Sequence, residues 1–308
     1  MFDLRYHVAS LAAVFFALVI GILVGVALAS HGLGNTERKR LEDDLSRAQS
    51  KGDTLQAQLT ALEESGALDR AFVDRTYKLV LADRLKGKRI AVLFVGSIDQ
   101  DLNKWIKATL NDAGSGDSLR MRALTIPIDP AKLTNRLKQR GPFYANYAGD
   151  DNLVVLGHAV GQEFAAGAQT PLWNALNDLI VEQRDKPLKP PADGVIVVRT
   201  APTQMGATAQ FLRGLYSGIR DVGVPAVGVE LTSGSGAATE AFKKAGLATV
   251  DDLDTPAGEL ALVLLLSDPA VTERSCRKPC NFGTKPATAD DGTLPRVVPT
   301  PATTTTGG

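Results

Sequence analysis

"KRIAVLFVGSIDQDLNKWIKATLNDAG", residues 88–114, carries two periods in succession. Its first part, Ile90 to Val95, is an unbroken apolar run bounded by Lys88, Arg89 and Gly96. That is the pattern of a strand covered on both faces. The second part sets Leu102, Trp105, Ile106 and Leu110 on one side of a helix, and Gly114 ends it. A doubly covered strand followed by an amphipathic helix is the repeating unit of a parallel sheet, so the fold class reads as α/β.

Working outward, the rhythm recurs. "LRMRALTI" (119–126) alternates as a second strand, and "DPAKLTNRLKQRG" (129–141) reads as a short helix with Asp129 as its cap and Pro130 at its first position. "DNLVVLG" (151–157) reads as another strand, which puts His158 just beyond a strand end. "TPLWNALNDLIVEQR" (170–184) reads as a helix with Leu172, Leu176, Leu179 and Ile180 inward. "DKPLKPPADG" (185–194) is a Pro-rich connector. Beyond it, "VIVVRT", "ATAQFLRGLYSGIRDVG", "PAVGVEL" and "AATEAFKKAG" repeat the strand–helix order, and "LATVDDLDTPAGELALVLLLS" (247–267) closes it. A mainly parallel α/β domain is therefore expected over residues 88–267, long enough for one sheet covered by helices.

Ahead of the domain lies the most apolar part of the chain. No charge occurs from Val8 to Ala29, and Ser10 is the one clearly polar side chain. As a helix at about 1.5 Å per residue this run measures about 33 Å, enough to cross a bilayer core. It is therefore read as a transmembrane anchor over residues 1–30. A cleaved secretory signal is the competing reading, since Ala27-Leu28-Ala29 offers a small-x-small pattern and Arg5 a weak basic start. A buried core helix would be shorter. Gly21 and Gly25, four apart, supply a close-packing face for helix association. The basic residues Arg38, Lys39 and Arg40 follow the span, yet a short N-terminal tail threads poorly and long domains cross largely regardless of charge. The expected arrangement is a cytoplasmic N-terminus with an exported body.

Residues 35–86 read as a helical, coiled-coil stalk. Leu41, Leu45, Ala48, Gly52, Leu55, Leu59 and Leu62 follow steps of four and three. This is a heptad seam about three heptads long, with Gly52 as its weak point. Charged and amide side chains such as Glu42, Arg47, Lys51, Gln58 and Glu63 flank it. The seam predicts self-association, helped by confinement of the chains to one bilayer. A single amphipathic helix packed on its own domain is the alternative. Gly66 is expected to loosen the helix before it resumes toward Gly87.

Residues 268–308 change character again. "KPATADDGTLPRVVPTPATTTTGG" has little to bury and reads as a disordered tail. Just before it, "CRKPC" holds both cysteines of the chain, Cys276 and Cys280. Thiolates suit a soft metal such as Cu(I), but an exported segment favours a disulfide, and that is the preferred reading. Met121 and Met205, the other sulfur residues of the body, are distant in sequence. His7 and His31 bracket the span, where an amphipathic ring sits comfortably. Gly234-Ser235-Gly236 follows a strand and opens a helix, a weak anion cradle without the Lys-Ser/Thr of a P-loop, and an ordinary capped loop is preferred. Thirty-four basic residues balance 34 acidic ones, which leaves no electrostatic footprint for nucleic acid. There is no nucleophile elbow and no metal-protease motif, so no enzyme and no resident cofactor are expected.

The opening "MFDLRYHVASLAAVFFALVIGILVG" is similar to the N-terminus of the MctB family, the actinobacterial copper transport proteins. The likeness continues through the heptads and the body, including "DTPAGELALVLLL" (254–266), and covers about residues 1–267. The resemblance implies an envelope protein that helps keep intracellular copper low, with copper as a transported ion. It also implies an outer-membrane, channel-like role. One apolar helix cannot enclose a pore, so a channel would need several chains. The expected function is thus a membrane-anchored component of copper homeostasis acting as a homo-oligomer. The alternative is a coiled-coil scaffold for other wall or division proteins, with no direct part in copper handling.

Overall fold

A computed structural model describes residues 4–28, 34–116, 120–184, 190–234, 237–267 and 281–283. The chain divides into two units, Met1–Ala71 and Phe72–Gly308.

The first unit is helical. Helix α1 spans Leu4–Leu28, and α2 begins at Gly34 and runs to Leu81, past the unit boundary. Gly52 and Gly66 both lie inside α2 without a break. The loosening expected at Gly66 does not occur, because one glycine costs a helix interior only about 1 kcal/mol and the neighbouring turns carry it. Two threonines, Thr54 and Thr60, bond back to the carbonyls of Ser50 and Gln56 one turn earlier.

The second unit is a doubly wound α/β domain. Its elements are β1 (Ile90–Val95), α3 (Gln100–Asp112), β2 (Arg120–Leu124), α4 (Pro130–Gln139), α5 (Pro142–Ala145), a 3-10 turn at Asp150–Asn152, and α6 (Leu153–Ala166). They continue as α7 (Pro171–Ile180), β3 (Val181–Arg184), β4 (Gly194–Arg199), α8 (Gly206–Asp221), β5 (Ala226–Val229), α9 (Ala237–Lys244), β6 (Ala248–Val250), α10 (Pro256–Ser267) and β7 (Asn281–Phe282). The sheet order is β3-β2-β1-β4-β5-β6-β7. Every neighbouring pair is parallel except β2 with β3, which is antiparallel at the edge.

Alternation along the central strands sorts the core into two layers. Ala91, Leu93, Val95, Val195 and Val197 face one cluster, which α4, α6, α7, α8 and α9 complete. Ile90, Val92, Phe94, Ile196 and Val198 face the other, closed by α3, α10 and the side chains of Leu81 and Leu85. Both faces are buried, which is why these strands are apolar throughout. Asp129 caps α4 as expected, its carboxylate accepting from the Lys132 amide at 3.0 Å with Pro130 at the first position.

Three sequence expectations are corrected. "DNLVVLG" is not a strand but the 3-10 turn and the start of α6. Buried positions 153, 156, 157, 160, 161, 164 and 165 recur at helical spacing, a stripe that extends beyond the four apolar residues of Leu153–Leu156. "VEQR" leaves the preceding helix to form β3, pairing across a register shift at Ala123/Leu124. In the stretch assigned to the tail, Asn281–Phe282 adds a seventh strand beside β6, with Phe282 fully packed.

The α6–α8 crossing sets one whole layer. A Cβ placed on Gly157 would lie 2.0 Å from the Phe211 carbonyl oxygen, and one on Gly161 2.2 Å from that of Leu215. In return, a Cβ on Gly214 would lie 2.1 Å from the Val154 oxygen, and one on Gly218 2.0 Å from that of His158. Each helix thus offers two glycines four apart to the backbone of the other. No side chain separates the axes, and Cα–H groups face carbonyls directly.

Buried polar groups lock α6 to its surroundings. Glu163 accepts from the Leu172 and Trp173 amides at 3.0 and 2.9 Å, capping α7 from a different helix. The Trp173 indole donates to the Val160 carbonyl at 2.7 Å. Arg120, fully buried in β2, donates to the carbonyls of Ala165 and Pro190 and lies over the Phe164 ring. Burial, with the charges of Arg122 and Arg89 adding to it, lowers its pKa to about 10.

Two glycine substitutions should move stability in opposite directions. Gly214→Ala forces the α6–α8 backbones apart and is expected to cost about 3 kcal/mol in urea unfolding of the α/β domain. Gly52→Ala meets nothing within 4 Å. It should strengthen α2 by about 1 kcal/mol and leave the transition of the α/β domain unmoved.

Candidate functional site

In the first unit the sequence-derived residues fall on two exposed rows. α1 contains a span of membrane-crossing length, His7–Leu28, none of it buried within the chain. A Cβ built on Gly21 or Gly25 meets nothing within 4 Å, so that glycine face is open. On α2, Leu41, Leu45, Leu55, Leu59 and Leu62 are 69%, 60%, 52%, 56% and 75% exposed, and Ala48 is exposed with them. Five leucines left in water along one helix are a large uncompensated apolar surface. Asp44 and Arg47, three apart on its flank, lie 3.6 Å from each other.

In the second unit the functional end of a doubly wound sheet is the carboxyl edge of its strands. The strand order reverses between β1 and β4, where such folds usually open a crevice. Here the two loops are stitched together. The Val95 carbonyl accepts from the Thr200 and Ala201 amides at 3.1 and 2.9 Å, and the Thr200 hydroxyl donates to Ser97 O at 2.7 Å. Gly96, at φ 110°, is the residue that permits this approach, since a Cβ there would sit 2.6 Å from Thr200 Oγ1.

Acidic groups gather past β5 and β6. Asp251 and Asp252 are fully buried and Glu259 is 7% exposed. Glu230 accepts from the Thr239 hydroxyl at 2.8 Å, and Asp254 takes the Thr232 amide and hydroxyl at 2.7 and 2.8 Å. Gly258 explains how α10 packs this closely, because a Cβ on it would lie 2.1 Å from the Asp252 carbonyl oxygen. Burial pushes the Glu259 carboxyl up to about 7. Burial first, and then the neighbouring charge of Asp251, raises Asp252 to about 6. Among the described residues, no group of three or more His, Cys, Asp and Glu side chains is placed to hold a metal ion.

The remaining sequence candidates disperse. His158 lies inside α6, not beyond a strand. Its Nε2 is 3.0 Å from Asp221 Oδ2, while Arg220 donates to Oδ1 of the same carboxylate at 2.8 Å. His158 and, next, Arg220 hold Asp221 below the usual carboxylate range. This group clasps α6 to the end of α8. Gly234 follows the β5 loop, and Ser235 and Gly236 lie outside the described residues. So do Cys276, Cys280 and His31. Met121 belongs to β2 and Met205 precedes α8 with 86% exposure. The buried carboxylates were missed because an acidic run such as "VDDLD" ordinarily marks a solvated turn. Its place between a short run of small and apolar residues, Leu247–Val250, and an apolar helix was the available signal.

One N-terminal helix long and apolar enough to cross a membrane and a mostly parallel, doubly wound α/β domain define the class of protein. The chain belongs to the MctB family: the model of that family, described as copper transport outer membrane protein, matches residues 1–290. The match runs past 267, the limit of the resemblance drawn from sequence, and takes in β7 and both cysteines. Membership makes this a copper-transport-related envelope protein. No curated protein matches the chain.

Because Glu259 and Asp252 titrate higher in the fold than in an unfolded chain, ionising them opposes folding. The penalty is absent below about pH 4, grows as pH rises toward 7, and is complete above it. Thermal unfolding of the protein should therefore show falling stability across that window. Glu259→Gln should flatten the profile and gain about 1–3 kcal/mol at pH 8. A profile identical to that of the unsubstituted protein would mean that Glu259 ionises in the fold without cost.

Proposed function

We propose that this chain is a non-enzymatic component of copper homeostasis that works as a self-associated assembly tethered by α1. The observation that carries the assembly is the row of exposed leucines on α2, together with the open glycine face of α1. The copper assignment rests on family membership. In this reading copper is cargo, and the chain holds no resident cofactor. The N-terminus lies in the cytoplasm and the body outside it. Several copies bring their α1 helices together at Gly21 and Gly25 while Leu41, Leu45, Ala48, Leu55, Leu59 and Leu62 pair along α2. A leucine moved fully from water gives about 1.5–3 kcal/mol, so a seam of this length associates modestly. Shared membrane tethering raises the effective concentration enough to make that sufficient.

A scaffold for other envelope proteins, with no part in copper handling, draws on the same seam. The two separate in cells. Loss of the protein should raise intracellular copper and sensitivity to it, whereas altered cell shape with normal copper content would select the scaffold. Leu55→Asp should weaken self-association in detergent at least about tenfold by sedimentation. Under the copper reading it should also reproduce the copper phenotype. A membrane-impermeant maleimide, applied to intact cells after mild reduction, should label Cys276 if the body is exported.

A further inference from the structure

A cavity of about 410 Å³ opens beside the carboxyl end of β4, between α8 and α9. Its volume is that of a small-molecule site. The walls are mostly apolar, formed by Leu212, the ring of Tyr216 and several alanines, and three cations stand on them: Arg199, Arg213 and Lys244. Against these there is one carboxylate in the lining, Glu240, which lies 3.5 Å from Lys244 Nζ. Among the described residues Arg199 bonds only to the Thr203 hydroxyl, at 3.4 Å, and Arg213 makes no ion pair. Among the described residues, two guanidinium groups thus stand without a counter-charge around an apolar hollow.

The second observation is Tyr216. It is 3% exposed, packs edge-on against Phe242, and its hydroxyl has no hydrogen-bond partner among the described residues. A buried hydroxyl without a partner costs about 1–3 kcal/mol, and such groups mark places where something polar is missing. Burial raises its pKa, with the charge of Arg199 acting against the rise. The hydroxyl is therefore a neutral donor within the field of Arg199.

We propose that this cavity binds a small organic anion: a phosphate or carboxylate held by Arg199 and Arg213 with the Tyr216 hydroxyl, carrying an apolar body that lies on Leu212 and the alanines. Paired guanidiniums suit the planar or tetrahedral oxygens of such a group. The apolar walls exclude a bare inorganic ion as the preferred occupant. Nothing in this site involves copper, and the proposal stands apart from the assembly proposed above.

The test is calorimetric titration of the full chain in phosphatidylcholine nanodiscs with phenyl phosphate, and with inorganic phosphate for comparison. Phenyl phosphate should bind at least about tenfold more tightly than inorganic phosphate, since burying its ring adds apolar contact. Arg213→Ala, on an exposed side chain, should weaken it about tenfold. Tyr216→Phe should weaken it about threefold while leaving the unfolding midpoint of the empty protein equal or higher. Equal affinity for both probes, no heat at millimolar phenyl phosphate, or unchanged binding in Arg213→Ala would each overturn the proposal. A Tyr216→Phe protein that loses stability without losing affinity would overturn the part assigned to the hydroxyl.

Discussion

Two helices that meet backbone to backbone govern the α/β domain. Gly157 and Gly161 on α6, with Gly214 and Gly218 on α8, leave no room for a single Cβ between them. Helices in proteins ordinarily cross 8–10 Å apart. Closing that gap draws both onto the same face of the sheet, and the layer of α4, α7 and α9 is built around the pair. The polar locks follow from it. Glu163 can cap α7, Trp173 can reach Val160, and Arg120 can reach Ala165 because the position of α6 is fixed. The clasp of His158, Asp221 and Arg220 then closes one end of the crossing.

Much of this domain was legible in the sequence, and the exceptions have physical reasons. β1, β4 and β5 announced themselves because a strand covered on both faces is apolar almost throughout, and β2 announced itself by alternation. α3 and α8 carried a clear helical stripe, although Trp105 proved 40% exposed instead of buried. α6 was read as a strand because Leu153–Leu156 is a short apolar run, and its helical stripe includes two glycines that look like breakers until their partner is known. No local rule distinguishes a glycine that ends a helix from one that admits another helix. β3 was hidden for a different reason. Only pairing with β2 makes "VEQR" a strand, and pairing is not a local property.

The two units use apolar residues in contrasting ways. In the α/β domain nearly every leucine, valine and isoleucine of the strands is covered. In α1 and along the Leu41–Leu62 part of α2 they are displayed. The heptads were visible from spacing alone, but spacing cannot say whether a stripe is covered by its own domain or by another molecule. The exposures answer the first half of that question: among the described residues, this row has no cover. A similar contrast holds for charge. Balanced overall composition conceals a carboxylate-rich edge past β6 and an arginine-lined hollow past β4.

α10 has a consequence for how the chain is sorted at a membrane. "PAGELALVLLLS" is almost as greasy as the N-terminal span, yet its 12 residues extend only about 18 Å. A segment this short falls below what a helix needs to span a bilayer core. Its oil must then be hidden by folding against the sheet, where Leu262, Val263, Leu265 and Leu266 are in fact covered. Length, together with the one carboxylate of Glu259, divides the residue stretch that lipid can keep from the one that the protein interior keeps.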